Sequence, residues 1–195
     1  MRIGVFGGTF DPVHFGHIHL ALSLLEIWKL DQVIFSPSRV SPFKEESGMQ
    51  ASPMQRLEML KLALEGVPAC RVIDFEVQRL GPSYTIDLVR HVKSLYAETD
   101  ELFLLLGEDL VPEFSRWKEY KQILSLVTPI IGCRVREENK KSWDFPESME
   151  MGRVPIPILE ISSTQIRERI KNKLYCQHLI PEKVFDYICE NKIYL

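Results

Sequence analysis

Two histidines three residues apart, His14 and His17, stand just beyond a pair of glycines, Gly7 and Gly8, in the string GGTFDPVHFGH. A short apolar run, residues 3–6, precedes them and reads as a buried strand, so the histidines fall at a strand-to-helix turn. Neither a G-x-G-x-x-G fingerprint nor the G-K-[ST] of a P-loop is present. Adjacent glycines let backbone approach a ligand closely. A helix opening near His14 directs its free amides and positive dipole end at the same point. That is an anion site before any side chain is counted. Two imidazoles on one face of the first turn add donors for developing charge, the alternative being that the rings only cap or pack. His19 falls on the other side of the turn and reads as structural, and no third ligand completes a zinc site.

A second cluster, ISSTQIR, spans residues 161–167. Ser162, Ser163 and Thr164 supply hydroxyls and amides at a helix start, and Arg167 follows one turn later, a set suited to a polyphosphate. The same string serves equally as a plain capping box. Asp109, at the exit of an apolar strand, suits a ribose diol or a helix cap. Trp117 and Tyr120 suit ring stacking or core packing. Ser83, Tyr84 and Thr85 open a helix whose start could meet an anion or carboxylate. Lys44, in a polar loop, is a phosphate contact or an ordinary surface lysine.

These residues need elements to hold them. Strand-like runs at residues 2–6, 32–36, 71–75, 101–107 and 127–133 alternate with helical patterns at 15–29, from Ser52 to Gly66, 84–96 and 112–125. Such alternation predicts βαβ units and a parallel sheet. A capping box of Ser52, Pro53 and Gln55 opens the second helix, and Ser83 is expected to cap the third. A charged excursion at 136–153, a short strand near 156–159, and helices in SSTQIRERIKNK and PEKVFDYICENK complete the chain. The expected fold is α/β, a Rossmann-like doubly wound parallel sheet, one domain over residues 1–195 with a small helical C-terminal portion. With right-handed crossovers its five strands take order 3-2-1-4-5, and the crevice lies where the order reverses, at the ends of strands 1 and 4. Gly7, Gly8 and the histidines then face Gly107 and Asp109 across one cleft.

Composition narrows the partners. The chain has 195 residues, 45% apolar and 26% charged, with a net charge of −3. No basic excess points to nucleic acid, and no apolar run approaches a membrane span or a signal peptide. Four cysteines without C-x-x-C spacing read as reduced thiols of a cytoplasmic protein.

Together, His14-Phe15-Gly16-His17 and Ile161–Arg167 resemble the H-x-G-H and I-S-S-T-x-I-R marks of a nucleotidyltransferase superfamily. Within it, GGTFDPVHFGH, RLGPSYTIDLV and GEDLVPEFSRWKEYKQIL are similar to the bacterial nicotinate-nucleotide adenylyltransferases, nearly end to end. The resemblance implies transfer of AMP from ATP to nicotinate mononucleotide, giving deamido-NAD and pyrophosphate, with Mg²⁺ bound to ATP. It implies that Gly7, Gly8, Thr9 and Phe10 line the nucleotide and that Gly107 and Asp109 hold its adenosine side. His14 and His17 would be the catalytic pair on the phosphates, and Ser163, Thr164 and Arg167 would grip the departing β,γ-phosphates. Tyr84, Thr85 and Trp117 would form the pyridine pocket, with Lys44 on the nicotinate nucleotide. One stretch departs from the family: its P-P-H-K is here Ser41-Pro42-Phe43-Lys44, without the imidazole. Phosphopantetheine adenylyltransferases share the histidines but have no use for the SYTID string. A nicotinamide-mononucleotide enzyme differs only in reading an amide for a carboxylate. A non-catalytic nucleotide sensor has no need of groups aimed at leaving phosphates.

Overall fold

ELFLLLG forms β4 (Glu101–Gly107), with Leu102 through Leu106 all buried, at the middle of a parallel sheet. A computed structural model describes residues 1–40, 50–134, 147–157 and 159–195 of the chain. Lys44 and Phe43 lie outside the described residues. The strands are β1 (Arg2–Gly8), β2 (Gln32–Pro37), β3 (Cys70–Val72), β4, β5 (Thr128–Arg134) and β6 (Arg153–Ile156), in order β3-β2-β1-β4-β5-β6. β1 lies between β2 and β4 in parallel register, with Val5 opposite both Ile34 and Leu104.

The helices are α1 (Phe15–Ile27), α2 (Pro53–Ala63), α3 (Phe75–Gln78), α4 (Thr85–Ser94), α5 (Tyr120–Leu126), α6 (Glu147–Glu150), α7 (Ser163–Lys171) and α8 (Glu182–Glu190). Alternate strand residues feed two cores, one on each face of the sheet. Val33, Phe35, Phe103 and Leu105 join residues of α1, α2, α7 and α8. Ile34, Leu102, Leu104 and Leu106 join residues of α4 and α5. Each fully buried Leu or Ile contributes about 1.5–3 kcal/mol. Such continuous apolar strands are what a sheet covered on both faces requires.

Several boundaries differ from expectation. The sheet has six strands, because the last short strand pairs with β5. It covers Arg153–Ile156 rather than 156–159, and the Ile131 amide donates to the Gly152 carbonyl at 2.8 Å to set its start. As the edge strand it tolerates Pro155. β3 stops at Val72, and Phe75, expected at a strand end, opens the short α3. The helical segments expected over 112–125 are a 3-10 helix that starts earlier, Glu108–Arg116, and then α5. Pro112 supplies no amide, and Glu119 sits in left-handed backbone at φ 54° between the two. Ser83 does not cap α4; the N-cap is Tyr84, and Ser83 Oγ accepts from the Arg39 amide at 2.8 Å. The Ser52 box is present in both directions, Gln55 N to Ser52 Oγ and Ser52 N to Gln55 Oε1.

Candidate active site at the switch point

The strand order reverses between β1 and β4, and both strands end in glycine at the same edge of the sheet. Ligand crevices of open α/β sheets form there. From β1 the chain runs through Thr9 to His14, which is the N-cap of α1. The His14 and His17 rings stack, with centroids 3.7 Å apart and planes at 26°. Gly16 makes room for this, since a Cβ there would meet the His14 ring at 3.0 Å. The His14 amide donates to His17 Nδ1 at 3.3 Å. In a neutral His17 the ring proton is therefore on Nε2, which is then a donor. Phe10 meets His17 edge-on at 5.0 Å. His14 is buried, and that burial lowers it from the usual 6.5 to about 4, so its ring is neutral across the ordinary pH range. His19 is tied to the Pro157 carbonyl, as a structural histidine would be.

ISSTQIR arrives on the same loop. α7 begins at Ser163, with Ser162 as N-cap accepting from the Gln165 amide at 3.1 Å. Ser163 Oγ donates to the Pro12 carbonyl at 2.9 Å, and Arg167 Nη1 donates to the Asp11 carbonyl at 2.7 Å. Arg167 Nη2 also reaches Thr164 Oγ1 at 3.2 Å. Two strings from opposite ends of the chain thus meet across residues 11–12. The amides of Ser163 and Thr164, in the first turn of α7, have no acceptor within the helix. His14 Nδ1 and Arg167 Nε are buried without a hydrogen-bond partner among the described residues. Buried polar atoms are rarely left so, and two at one junction mark a place for a polar ligand.

On the other side of the crevice, Asp109 is exposed in the first turn of the 3-10 helix. Its carboxylate lies against Gly107, where a Cβ would fall 2.5 Å from Oδ1. Further along, Tyr84 and Thr85 start α4, and Trp117 ends the 3-10 helix, packed on Phe114 at 5.0 Å. Lys118 Nζ lies 4.3 Å from the Tyr84 ring centroid, which joins the start of α4 to the Trp117 segment. Tyr84, Thr85 and Trp117 are all partly open.

Sequence reasoning gave no role to four buried groups around this site. Asp11 accepts from the Gln50 and Ala51 amides at 3.0 and 3.1 Å and from Tyr194 Oη at 2.6 Å. Arg56, fully buried, donates to the carbonyls of Thr9, Ser38, Arg39 and Ala51. Burial lowers its pKa, and Asp11 opposes that. Glu76 accepts from Ser36 Oγ at 2.7 Å and is pushed up to about 7 by burial. A signal existed for Arg56, which occupies an i, i+3, i+4 stripe with Met59 and Leu60 where an apolar residue is expected.

Helix-start amides, imidazoles and a guanidinium thus gather at the switch point of a Rossmann-like parallel sheet, the arrangement of the nucleotidyltransferase class that the family match below shows. Residues 5–169 match the cytidylyltransferase-like family. The probable nicotinate-nucleotide adenylyltransferase of Methylacidiphilum infernorum is 42% identical over 100% of this chain and 92% of its own length. The nicotinate-nucleotide adenylyltransferase of Bacillus subtilis is 36% identical over 99% of this chain and 98% of its own. In fold, the nicotinic acid mononucleotide adenylyltransferase of Plasmodium falciparum, solved with NaAD, has a TM-score of 0.78 at 20% identity, covering 99% of this chain and 97% of that one. The chain belongs to the nicotinate-nucleotide adenylyltransferase family of cytidylyltransferase-like proteins.

Proposed function

We propose that this protein joins nicotinate mononucleotide to ATP, forming deamido-NAD and releasing pyrophosphate, a step of NAD biosynthesis. The observation that carries the reading is the junction of α7 with the His14–His17 turn, where Arg167 and Ser163 dock on the carbonyls of Asp11 and Pro12.

An oxygen of the acceptor's 5′-phosphate attacks the α-phosphorus in line. The bond from that phosphorus to the bridging oxygen breaks, and its electron pair leaves with pyrophosphate. A phosphate monoester is already mostly dianionic at pH 7, so the nucleophile needs no general base. That suits a His14 held neutral by burial and a His17 whose Nε2 is a donor. His17 stabilises charge on the α-phosphoryl oxygens as it develops, and His14 orients the turn and meets the phosphates. Thr164, Arg167 and the first amides of α7 hold the β,γ-phosphates; the Ser163 hydroxyl, donating to Pro12, leaves its amide for that role. Gly7, Gly8, Thr9 and Phe10 line the nucleotide, with Gly107 and Asp109 on its adenosine side. Tyr84, Thr85 and Trp117 receive the pyridine, its carboxylate toward the start of α4, and Lys44 assists on the nucleotide.

Among the described residues no group of three or more His, Cys, Asp or Glu could hold a metal ion, and the oxygens of Asp11 are taken by protein donors. Mg²⁺ would be carried mainly by the triphosphate oxygens, in keeping with its preference for phosphate and water ligands, and would neutralise charge on the leaving group.

The test is pyrophosphate release from ATP and Mg²⁺ with nicotinate mononucleotide or nicotinamide mononucleotide as acceptor. A strong preference for the nicotinate acceptor is expected. Equal rates would remove the carboxylate-reading pocket, and no release with either would overturn the assignment.

A further inference from the structure

Asp11 is 3% exposed and sits between segments far apart in the chain. Its Oδ2 accepts from the Gln50 amide, and its Oδ1 accepts from the Ala51 amide and from Tyr194 Oη. Its backbone carbonyl accepts from Arg167 Nη1, whose guanidinium also lies 3.9 Å from Oδ2. Two residues back, the Thr9 carbonyl accepts from Arg56 at 2.8 Å. The turn carrying His14 is thus held by two guanidiniums on its carbonyls, and the orientation of residue 11 is set by what grips its carboxylate.

Tyr194 is unusual in its own right. It is buried at 7% exposure, follows α8, and has left-handed backbone at φ 65°, as does Lys192 at φ 52°. That is a costly conformation for a bulky residue, kept only where the surroundings over-determine it. Burial and the adjacent Asp11 carboxylate both raise its phenol far above the ordinary range, so it remains a donor at any working pH. The Tyr194 hydroxyl is therefore committed to the Asp11 carboxylate.

Resting on the function proposed above, we infer that Tyr194 and Asp11 are positioning residues: the phenol fixes the Asp11 carboxylate, and Asp11 in turn presents the carbonyl that holds the Arg167 guanidinium at the leaving-phosphate end of the site. The latch acts on one part of the ligand. Its loss lets Arg167 wander without disturbing the adenosine side at Gly107 and Asp109.

Titration calorimetry with inorganic pyrophosphate and with AMP tests this without turnover. Tyr194→Phe keeps the ring and its packing and removes only the hydroxyl. Pyrophosphate affinity is expected to fall about tenfold while AMP affinity stays within about twofold. Asp11→Asn should give the same split. In an Arg167→Ala background, Tyr194→Phe should have no further effect on pyrophosphate, because it acts through that guanidinium. Wild-type affinity for pyrophosphate in folded Tyr194→Phe would overturn the inference. So would equal loss for both ligands, or a parent protein that binds no pyrophosphate. If the split is present but nicotinate mononucleotide is not adenylylated, the latch stands and the assigned acceptor fails.

Discussion

His14 and His17 differ in kind although they stack. Burial keeps His14 neutral down to about pH 4, while His17 Nδ1 accepts from the His14 amide. His17→Ala should therefore lower turnover about 10²–10³-fold with a much smaller change in ATP affinity, measured by steady-state kinetics and nucleotide titration. An unchanged rate would remove the catalytic role. Glu76 gives a second residue-scale prediction. Folded, it holds its proton to about pH 7 against an ordinary 4.5, so its contribution to stability is complete below 4.5 and falls as pH rises through 7. His14 runs the other way, from an ordinary 6.5 to about 4, and withdraws stability as pH falls through that window. Each is worth about 3 kcal/mol, so they nearly cancel between pH 4.5 and 6.5. Urea unfolding of the parent should be flat there from these two groups. Glu76→Gln should expose a rise of about 3 kcal/mol over the same range. A Glu76→Gln protein as flat as the parent would contradict the assignment.

At the scale of elements, the docking of α7 on the β1–α1 turn is what would assemble the proposed site. Ser163→Ala removes one hydrogen bond to the Pro12 carbonyl and should cost about 1 kcal/mol of stability, read from the denaturation midpoint. Arg167→Lys keeps the charge but cannot serve the Asp11 carbonyl and a phosphate at once, so turnover should fall well beyond what the stability change explains. The Ser52 and Ser162 caps were legible because a hydroxyl and an amide three residues on are a local event. The Ser83 cap was not, because a distant amide, Arg39, takes that hydroxyl. The 3-10 geometry and the position of the break at Trp117–Glu119 were likewise hidden, since periodicity over 112–125 does not distinguish 3-10 from α geometry around Pro112.

At the scale of the whole molecule, the alternation of apolar strands and helices was enough to place β1 and β4 side by side, and with them the two halves of the crevice. The last strand was expected a few residues late and outside the five-stranded order, because Arg153–Ile156 is short, carries a proline and pairs with β5. The Asp11–Tyr194–Arg56 network escaped for a related reason: its members come from three separated segments, and no local spacing links them. His14, His17, Ser163, Thr164 and Arg167 are brought together by hydrogen bonds through residues 11–12 and by ring stacking. Tyr84 and Trp117 pack against the same core, and Lys118 lies over the Tyr84 ring.

The central claim is a direct transfer of the adenylyl group by a site that positions and neutralises, with no covalent enzyme intermediate. The most direct measurement uses ATP made chiral at its α-phosphorus by a single sulfur and follows that centre into the dinucleotide formed with nicotinate mononucleotide. One in-line displacement inverts the configuration, and inversion is the predicted result. Retention would require two displacements and an adenylylated residue, which would contradict the account.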